Sequence, residues 1–213
     1  MKEAKKHRKE TYSESKKSFL YKFFQKITID ARNDFFNLFV LYTNYTVEKS
    51  IIDIGTTPSL DKEQNIFLEN TKKNNKITCL SNQDCKILYK KYKNINNILV
   101  GDGRSTNLDK NSFDIVHSNA TIEHVGSFKN QILFVKEMIR ISKEYVFIQT
   151  PNRYHPIDFH TILPIIHWLP KKIHRRILKY MKLDFYSKEE NLNLLSLNDL
   201  KKICVKLNIK KYK

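Results

Sequence analysis

The sequence predicts an α/β chain built on a doubly wound, mostly parallel sheet with helices on both faces. Three observations predict it. Five short apolar segments recur between residues 50 and 149, stretches of helix length separate them, and two of them run into turns that set a glycine beside an acid. Strands buried on both faces read as continuous apolar runs, and parallel neighbours need a crossover connection between them.

The elements follow in order. Residues 1–17 (MKEAKKHRKETYSESKK) are basic and poor in apolar side chains, the composition of a tail. From Ser18 to Tyr45 apolar residues recur at mixed three and four spacing, including Phe19, Phe23, Ile27, Phe35 and Phe39, so one or two helices are expected. Ser50–Ile54 is the first strand and ends at Gly55. Asp61 is placed to start a helix reaching about Asn74. Lys76–Leu80 is the second strand, Asp84–Lys93 a helix, Ile98–Val100 the third strand and Ser112–Ser118 the fourth. Residues 127–142 carry helical periodicity, and Tyr145–Gln149 makes the fifth strand.

Residues 151–195 break this rhythm. Four of the five prolines lie between Pro151 and Pro170, beside the single Trp and four of the seven histidines. A lid or acceptor-site wall of short helices is expected there. A last helix runs from about Ser196 to Leu207, capped by Ser196 or Asn198. The expected organisation is a basic tail with N-terminal helices (1–45), a ligand-binding core (46–150), the lid (151–195) and a C-terminal helix (196–213).

Composition narrows the function classes. The 213 residues carry a formal charge of +17, but only seven of the 39 basic residues are Arg. Phosphate and base recognition favours clustered Arg with interleaved aromatics, so the charge is read as lysines spread over solvated faces, and nucleic acid is not the expected partner. Three cysteines (Cys79, Cys85, Cys204) show no paired spacing and are read as reduced thiols. No apolar run reaches the ~20 residues of a membrane span, so a cytoplasmic protein is expected. The basic, aromatic stretch 160–183 leaves peripheral membrane contact open.

In a doubly wound sheet, ligands sit at the carboxyl ends of the strands. Asp53 lies inside a buried strand, which is costly unless its carboxylate is partnered, and it precedes the Gly55-Thr56 turn. Gly55 would let the backbone approach a ligand closely. The third strand runs into Gly101-Asp102-Gly103, where an acid suits an edge-on contact with an adenine amino group.

The segment GDGRSTNLDKNSFDIVHSNATIEHVG resembles the methyltransferase type 11 group of class I S-adenosylmethionine-dependent methyltransferases. With the Asp53-Gly55 turn upstream, the similarity covers about residues 48–150, and the continuation through HTILPIIHWLP resembles a bacterial branch of that group. The resemblance implies a Rossmann-like fold and S-adenosylmethionine as cofactor. Carried over by position, Asp53, Gly55 and Thr56 match the first cofactor motif, Asp102 and Gly103 the adenine end, and Ser118 and Asn119 the floor beside the methionine part. Asp114 matches a structural position. Two departures stand out. Thr57 and Ser59 replace motif glycines, and the acid that normally ends strand two and holds the ribose is replaced by Ser81 and Asn82. The usual sheet also has an antiparallel C-terminal hairpin, which six residues after Leu207 leave missing or shortened, with strand five as an edge.

Methyl transfer needs alignment, exclusion of water and, for a weakly ionised hydroxyl or a protonated amine, a base. Base candidates are Glu123 and His124 after strand four, and His155, Asp158 and His160 on the lid, with Glu123, His124 and His160 taken as the catalytic set. The small-RNA 3′-end methyltransferases place a metal on a similar Glu/His cluster but carry a further Glu where Ala120 stands here, so no metal is expected. The expected activity is methyl transfer to an O or N nucleophile of a small, or glycan- or lipid-linked, acceptor. The alternatives are a degenerate domain that binds cofactor weakly and an RNA-directed enzyme.

Overall fold

The structure is a computed structural model, and it describes residues 33–212 apart from residues 63 and 75. The expected basic tail, with the start of the expected N-terminal helices, lies outside the described residues. Helix α1 (33–43) leads into β1 (Ile51–Ile54), α2 (Ile66–Asn70), β2 (Ile77–Ser81), β3 (Ile95–Val100) and β4 (Phe113–Asn119). Then follow α3 (Phe128–Ile141), β5 (Ser142–Gln149), α4 (Lys171–Tyr180), α5 (Asp184–Ser187) and α6 (Leu197–Lys206).

The five strands form one sheet in the order β3-β2-β1-β4-β5, and every pairing is parallel. Chain order reverses between β1 and β4, so the crevice where ligands collect lies at the carboxyl ends of these two strands. Strand periodicity sends alternate residues to opposite faces. Ile52, Ile54, Val116 and Ile148 meet Phe134, Met138 and Ile141 of α3 and Ile203 of α6. On the other face Ile51, Ile115 and Phe147 meet Phe36 and Phe39 of α1 and Phe67 of α2. β1 and β2 are buried at every position, which is why their sequence reads as an uninterrupted apolar run.

Several boundaries differ from the sequence reading, each for a local reason. The helix expected from Asp61 begins only at Ile66, because the Asn65 side chain donates to Thr57 O (3.0 Å) and Ser59 O (2.7 Å) and holds residues 57–65 as a loop. The helix expected over 84–93 is a single 3₁₀ segment, Lys86–Lys90. β3 starts three residues before the expected Ile98, and β5 starts at Ser142, directly after α3. Ser127 caps α3, its hydroxyl accepting from Asn130 N. Ser196, and not Asn198, caps α6 through a capping box with Asp199. Among the described residues, 207–212 add no strand, so β5 stands at the sheet edge.

Within 151–195 the expected short helices are present as Ile166–Trp168, α4 and α5. The segment is tied back by an isolated parallel bridge between Asn152 and Leu195 and by Asn193. Asn193 is buried; its N–H donates to Glu123 O (2.7 Å), its Nδ2 to Gly126 O (2.8 Å), and its own carbonyl accepts from Gln131 Nε2 (2.7 Å).

Candidate functional site

Every residue singled out for the cofactor lies at the carboxyl edge of the sheet or on the turn after a strand, but their side chains are engaged in different ways. Asp53 is 7% exposed, and its carboxylate accepts from His117 Nδ1 (2.7 Å) and the Thr56 hydroxyl (2.8 Å). The buried acid therefore has an internal partner, a histidine that sequence reasoning missed. The sequence signal was the cost of an unpartnered Asp53, and the partner came from register, since Asp53 pairs with His117 across β1 and β4. Phe67 stacks on the His117 ring at 3.7 Å and shuts it from water.

Gly55 has φ +97°, and a Cβ there would fall 1.9 Å from Thr121 Oγ1. The Thr121 hydroxyl donates to Asn119 O (3.0 Å) and Ile54 O (3.3 Å). The space a Cβ would take at Gly55 is thus filled by Thr121. Gly103 is likewise a packing position, because a Cβ would press on Ile54 and Phe134 at 2.7 and 2.8 Å. Ser118 donates to Ile54 O (2.8 Å) and Ser81 accepts from Gln83 N (3.3 Å), so both stiffen the edge. Asp102 is half exposed and takes the Arg104 guanidinium through both oxygens, at 2.5 to 3.0 Å, and the Arg104 hydrogen bonds hold its carboxyl below the usual range. Asp114 accepts from Ser50 N and Oγ and pairs with Lys143, a structural role as expected.

Two amides at this edge are differently placed. Asn119 and Gln149, at the ends of β4 and β5, line a shallow recess together with His117, Phe35, Phe39 and Phe67. Polar groups at a strand end beside an aromatic recess fit a cofactor that carries an amino-acid part, and the half-exposed Asp102 fits its adenine end. Ser81 and Asn82 stand at and just after the end of β2.

The candidate catalytic residues come together. Glu123 lies on a 3₁₀ turn after β4 and is fully buried; its Oε2 accepts from the Thr150 hydroxyl (2.9 Å), while Oε1 accepts no hydrogen bond. His160 Nε2 lies 3.6 Å and His124 Nε2 3.9 Å from that oxygen, and the two Nε2 atoms are 3.2 Å apart. Each ring is fixed from behind. His124 Nδ1 donates to Asn191 O (2.6 Å) and His160 Nδ1 to the Asp158 carboxylate (3.0 Å), which also accepts from the Thr161 hydroxyl (2.7 Å). Burial alone would lower the His160 pKa, but the hydrogen bond to Asp158 and the Glu123 carboxylate 3.6 Å away outweigh it and raise it to about 9. Burial would raise Asp158, and the His160 bond overrides it, bringing that acid to about 2. Glu123 is also lowered, the neighbouring His160 and His124 overcoming its burial. These partners favour the charged imidazolium form of His160 at neutral pH. Among the described residues, Glu123, His124 and His160 are also the group whose ligand atoms converge within 4.8 Å, close enough to hold a metal ion. His155 stays apart, its Nδ1 2.9 Å from Ile157 O.

Comparison with known proteins bears on the fold. Residues 67–147 match the family model described as a Methyltransferase domain, of type 11. No curated protein matches the chain. The fold is similar to the YcgJ protein of Bacillus subtilis, with 13% identity over 80% of this chain and 65% of that one and a TM-score of 0.53. It is similar to a SAM-dependent methyltransferase of Methanosarcina mazei (14% identity, 78% and 82% of the two chains, TM-score 0.53). A third likeness is to a SAM-dependent methyltransferase of Archaeoglobus fulgidus (16% identity, 89% and 74%, TM-score 0.54). At these identities the likeness is one of fold, and the chain spans about two thirds of the YcgJ protein's length.

Proposed function

We propose that this chain, a class I S-adenosylmethionine-dependent methyltransferase, moves the methyl group to an O or N nucleophile of a small, or glycan- or lipid-linked, acceptor, with Glu123, His124 and His160 handling the acceptor's proton. The reading rests on the methyltransferase-domain match over residues 67–147. The Asn119 and Gln149 amides at the carboxyl edge support it. When bound, S-adenosylmethionine supplies an electrophilic methyl on a sulfonium. The protein's part is to align the acceptor, exclude water and take up a proton.

His124 is the most open member of the cluster, its side chain 30% exposed against 13% for His160 and none for Glu123. It is the group an acceptor meets. With Nδ1–H fixed on Asn191 O, its Nε2 carries the lone pair, to which the His160 Nε2–H donates. An arriving hydroxyl or ammonium takes the place of that bond, and the His160 N–H turns to Glu123 Oε1, the buried oxygen without a donor. The two carboxylates keep His160 charged throughout, so the proton leaving the acceptor goes to His124. The hydrogen bonds of Asp158 and Asn191 orient the rings and act through them.

A weakly binding, degenerate domain is favoured by one observation: Thr121 fills the space beside Gly55. Calorimetric titration of the protein with S-adenosylmethionine and its demethylated product separates the two readings. Saturable binding, weakened at least tenfold by Asp102→Ala, is expected of the enzyme; no binding to the folded protein would leave the degenerate reading. Among the described residues no helix is long and apolar enough to cross a membrane, and a lipid-linked acceptor would be met at a surface.

A further inference from the structure

A second, narrow recess opens between the first turn of α4 and residues 192–194. Its lining is basic: Arg153, Lys171 and Arg175 face it, with His167, His174 and Asn193. Arg153 is positioned by its own donations to His167 O (3.1 Å) and Leu169 O (2.6 Å). Arg175 pairs with Glu189 (3.1 Å), but the Lys171 ammonium is met by the neutral Asn193 Oδ1 (2.6 Å) and pairs with no carboxylate among the described residues. Burial lowers the Lys171 pKa, and the neighbouring Arg153 and Arg175 charges lower it further against the pull of Asp199 and Glu189. Three cations facing one recess are mutually repulsive and stable together only with counter-charge.

Two buried ring nitrogens in the same lining lack partners. His167 is 1% exposed; its Nε2 donates to His155 O (2.7 Å), while its Nδ1 makes no hydrogen bond. His174, 8% exposed, has an Nε2 that makes none. Buried polar atoms are ordinarily satisfied; the orphan His174 Nε2 beside three cations marks a place for a polyvalent acceptor of hydrogen bonds, whereas the His167 Nδ1, whose sister nitrogen carries the proton, calls for a donor. The recess also borders the start of a ten-residue helix, whose first amides have no intrahelical partner and favour anions.

We propose that this recess is a phosphate-binding site that holds the phosphate or diphosphate group of the methyl acceptor. Binding stands on the recess itself; the assignment to the acceptor rests on the methyl-transfer reading. Asn193 links the two places, since its Oδ1 accepts from Lys171 while its N–H donates to the Glu123 carbonyl. A phosphate here would therefore sit across one residue from the histidine cluster. His174 is held down to about 4, chiefly by burial, with the His167, Arg153 and Arg175 charges adding to it and Asp158 opposing. An anion against its ring reverses that balance, so binding near pH 6 takes up a proton.

The test titrates the full chain with inorganic pyrophosphate by calorimetry, in two buffers of different ionisation enthalpy. Expected are saturable binding, a buffer-dependent heat that reports proton uptake, and at least tenfold weaker binding in Lys171→Gln and in Arg175→Gln. The second arm sediments the protein with phosphatidylcholine vesicles with and without phosphatidic acid. Sedimentation that needs phosphatidic acid, is lost in Lys171→Gln and is competed by pyrophosphate assigns a lipid-borne phosphate; pyrophosphate binding without it assigns a soluble one. Pyrophosphate binding that neither substitution weakens, or no binding in either arm, overturns the proposal. S-adenosylmethionine titration of the same variants keeps its failure distinct from failure of the enzyme reading, because neither Lys171 nor Arg175 lies at the carboxyl edge of the sheet.

Discussion

Replacing Asp158 by Asn tests the charged core of the histidine cluster. Asp158 accepts from the His160 ring and backbone N–H, each at 3.0 Å, and from the Thr161 hydroxyl, while the side chains of Asp158 and His160 are 1% and 13% exposed. Asn keeps the shape and removes the charge. The rise of His160 from 6.5 to about 9 corresponds to about 3 kcal/mol of folded-state preference for its charged form. A raised pKa means that this contribution is fully present below 6.5 and is lost as pH climbs through about 9. The Asp158 share has the opposite sense, present above its ordinary 3.8 and lost as pH falls toward about 2. Asp158→Asn should therefore cost on the order of 2–3 kcal/mol near pH 5.5, where both shares are in place, and well under half of that near pH 10. Urea denaturation at the two pH values measures this, and a histidine NMR titration follows His160 directly. Equal destabilisation at both pH values, or a wild-type His160 that titrates near 6.5, would refute the reasoning.

The other expectations concern the frame around the site. Gly55→Ala forces a Cβ against Thr121 at a φ of +97° and should destabilise by about 2–4 kcal/mol, with partial rescue by Thr121→Ala, measured as a double-mutant cycle. Glu137, held at about 2 chiefly by Arg140 against its burial and with help from Thr106, should lose about 1–3 kcal/mol on change to Gln at pH 7; that loss should vanish as pH falls from 4.5 toward 2, read from acid unfolding curves. Ser196→Ala removes the hydroxyl that accepts from Asp199 N, while the residue-196 N–H still donates to the Asp199 carboxylate; it should cost about 1 kcal/mol in chemical denaturation, with Ser196→Asn keeping most of it.

Much of this architecture was legible from pattern alone. The buried β1 and β2 announce themselves as SIIDI and KITCL, and the capping residues Ser127 and Ser196 stand before their helices. What pattern missed was set by side chains reaching along the chain. Asn65 bonding back to Thr57 and Ser59 shortens α2, and nothing in the local composition signals that preference. The convergence of Glu123, His124 and His160 was legible as residue types but not as a geometry, because Asp158 and Asn191 complete it from the irregular segment and Thr150 from the end of β5. The preference of His160 for its charged form follows from those partners and not from its own identity.

Asn193 also bears on how the molecule comes apart. Its backbone and side chain bind Glu123, Gly126 and Gln131, tying the 151–195 segment to residues more than sixty positions earlier in the chain. A segment fixed only at its own ends opens locally and exchanges its amide protons early. Here, release of the segment would strip partners from the buried Gln131 and leave the Glu123 carbonyl without its donor. The segment and the start of α3 therefore form one cooperative unit. In native-state hydrogen exchange the Asn193 amide should exchange with the core strands, as slowly as β4, while the amides of α5 exchange first.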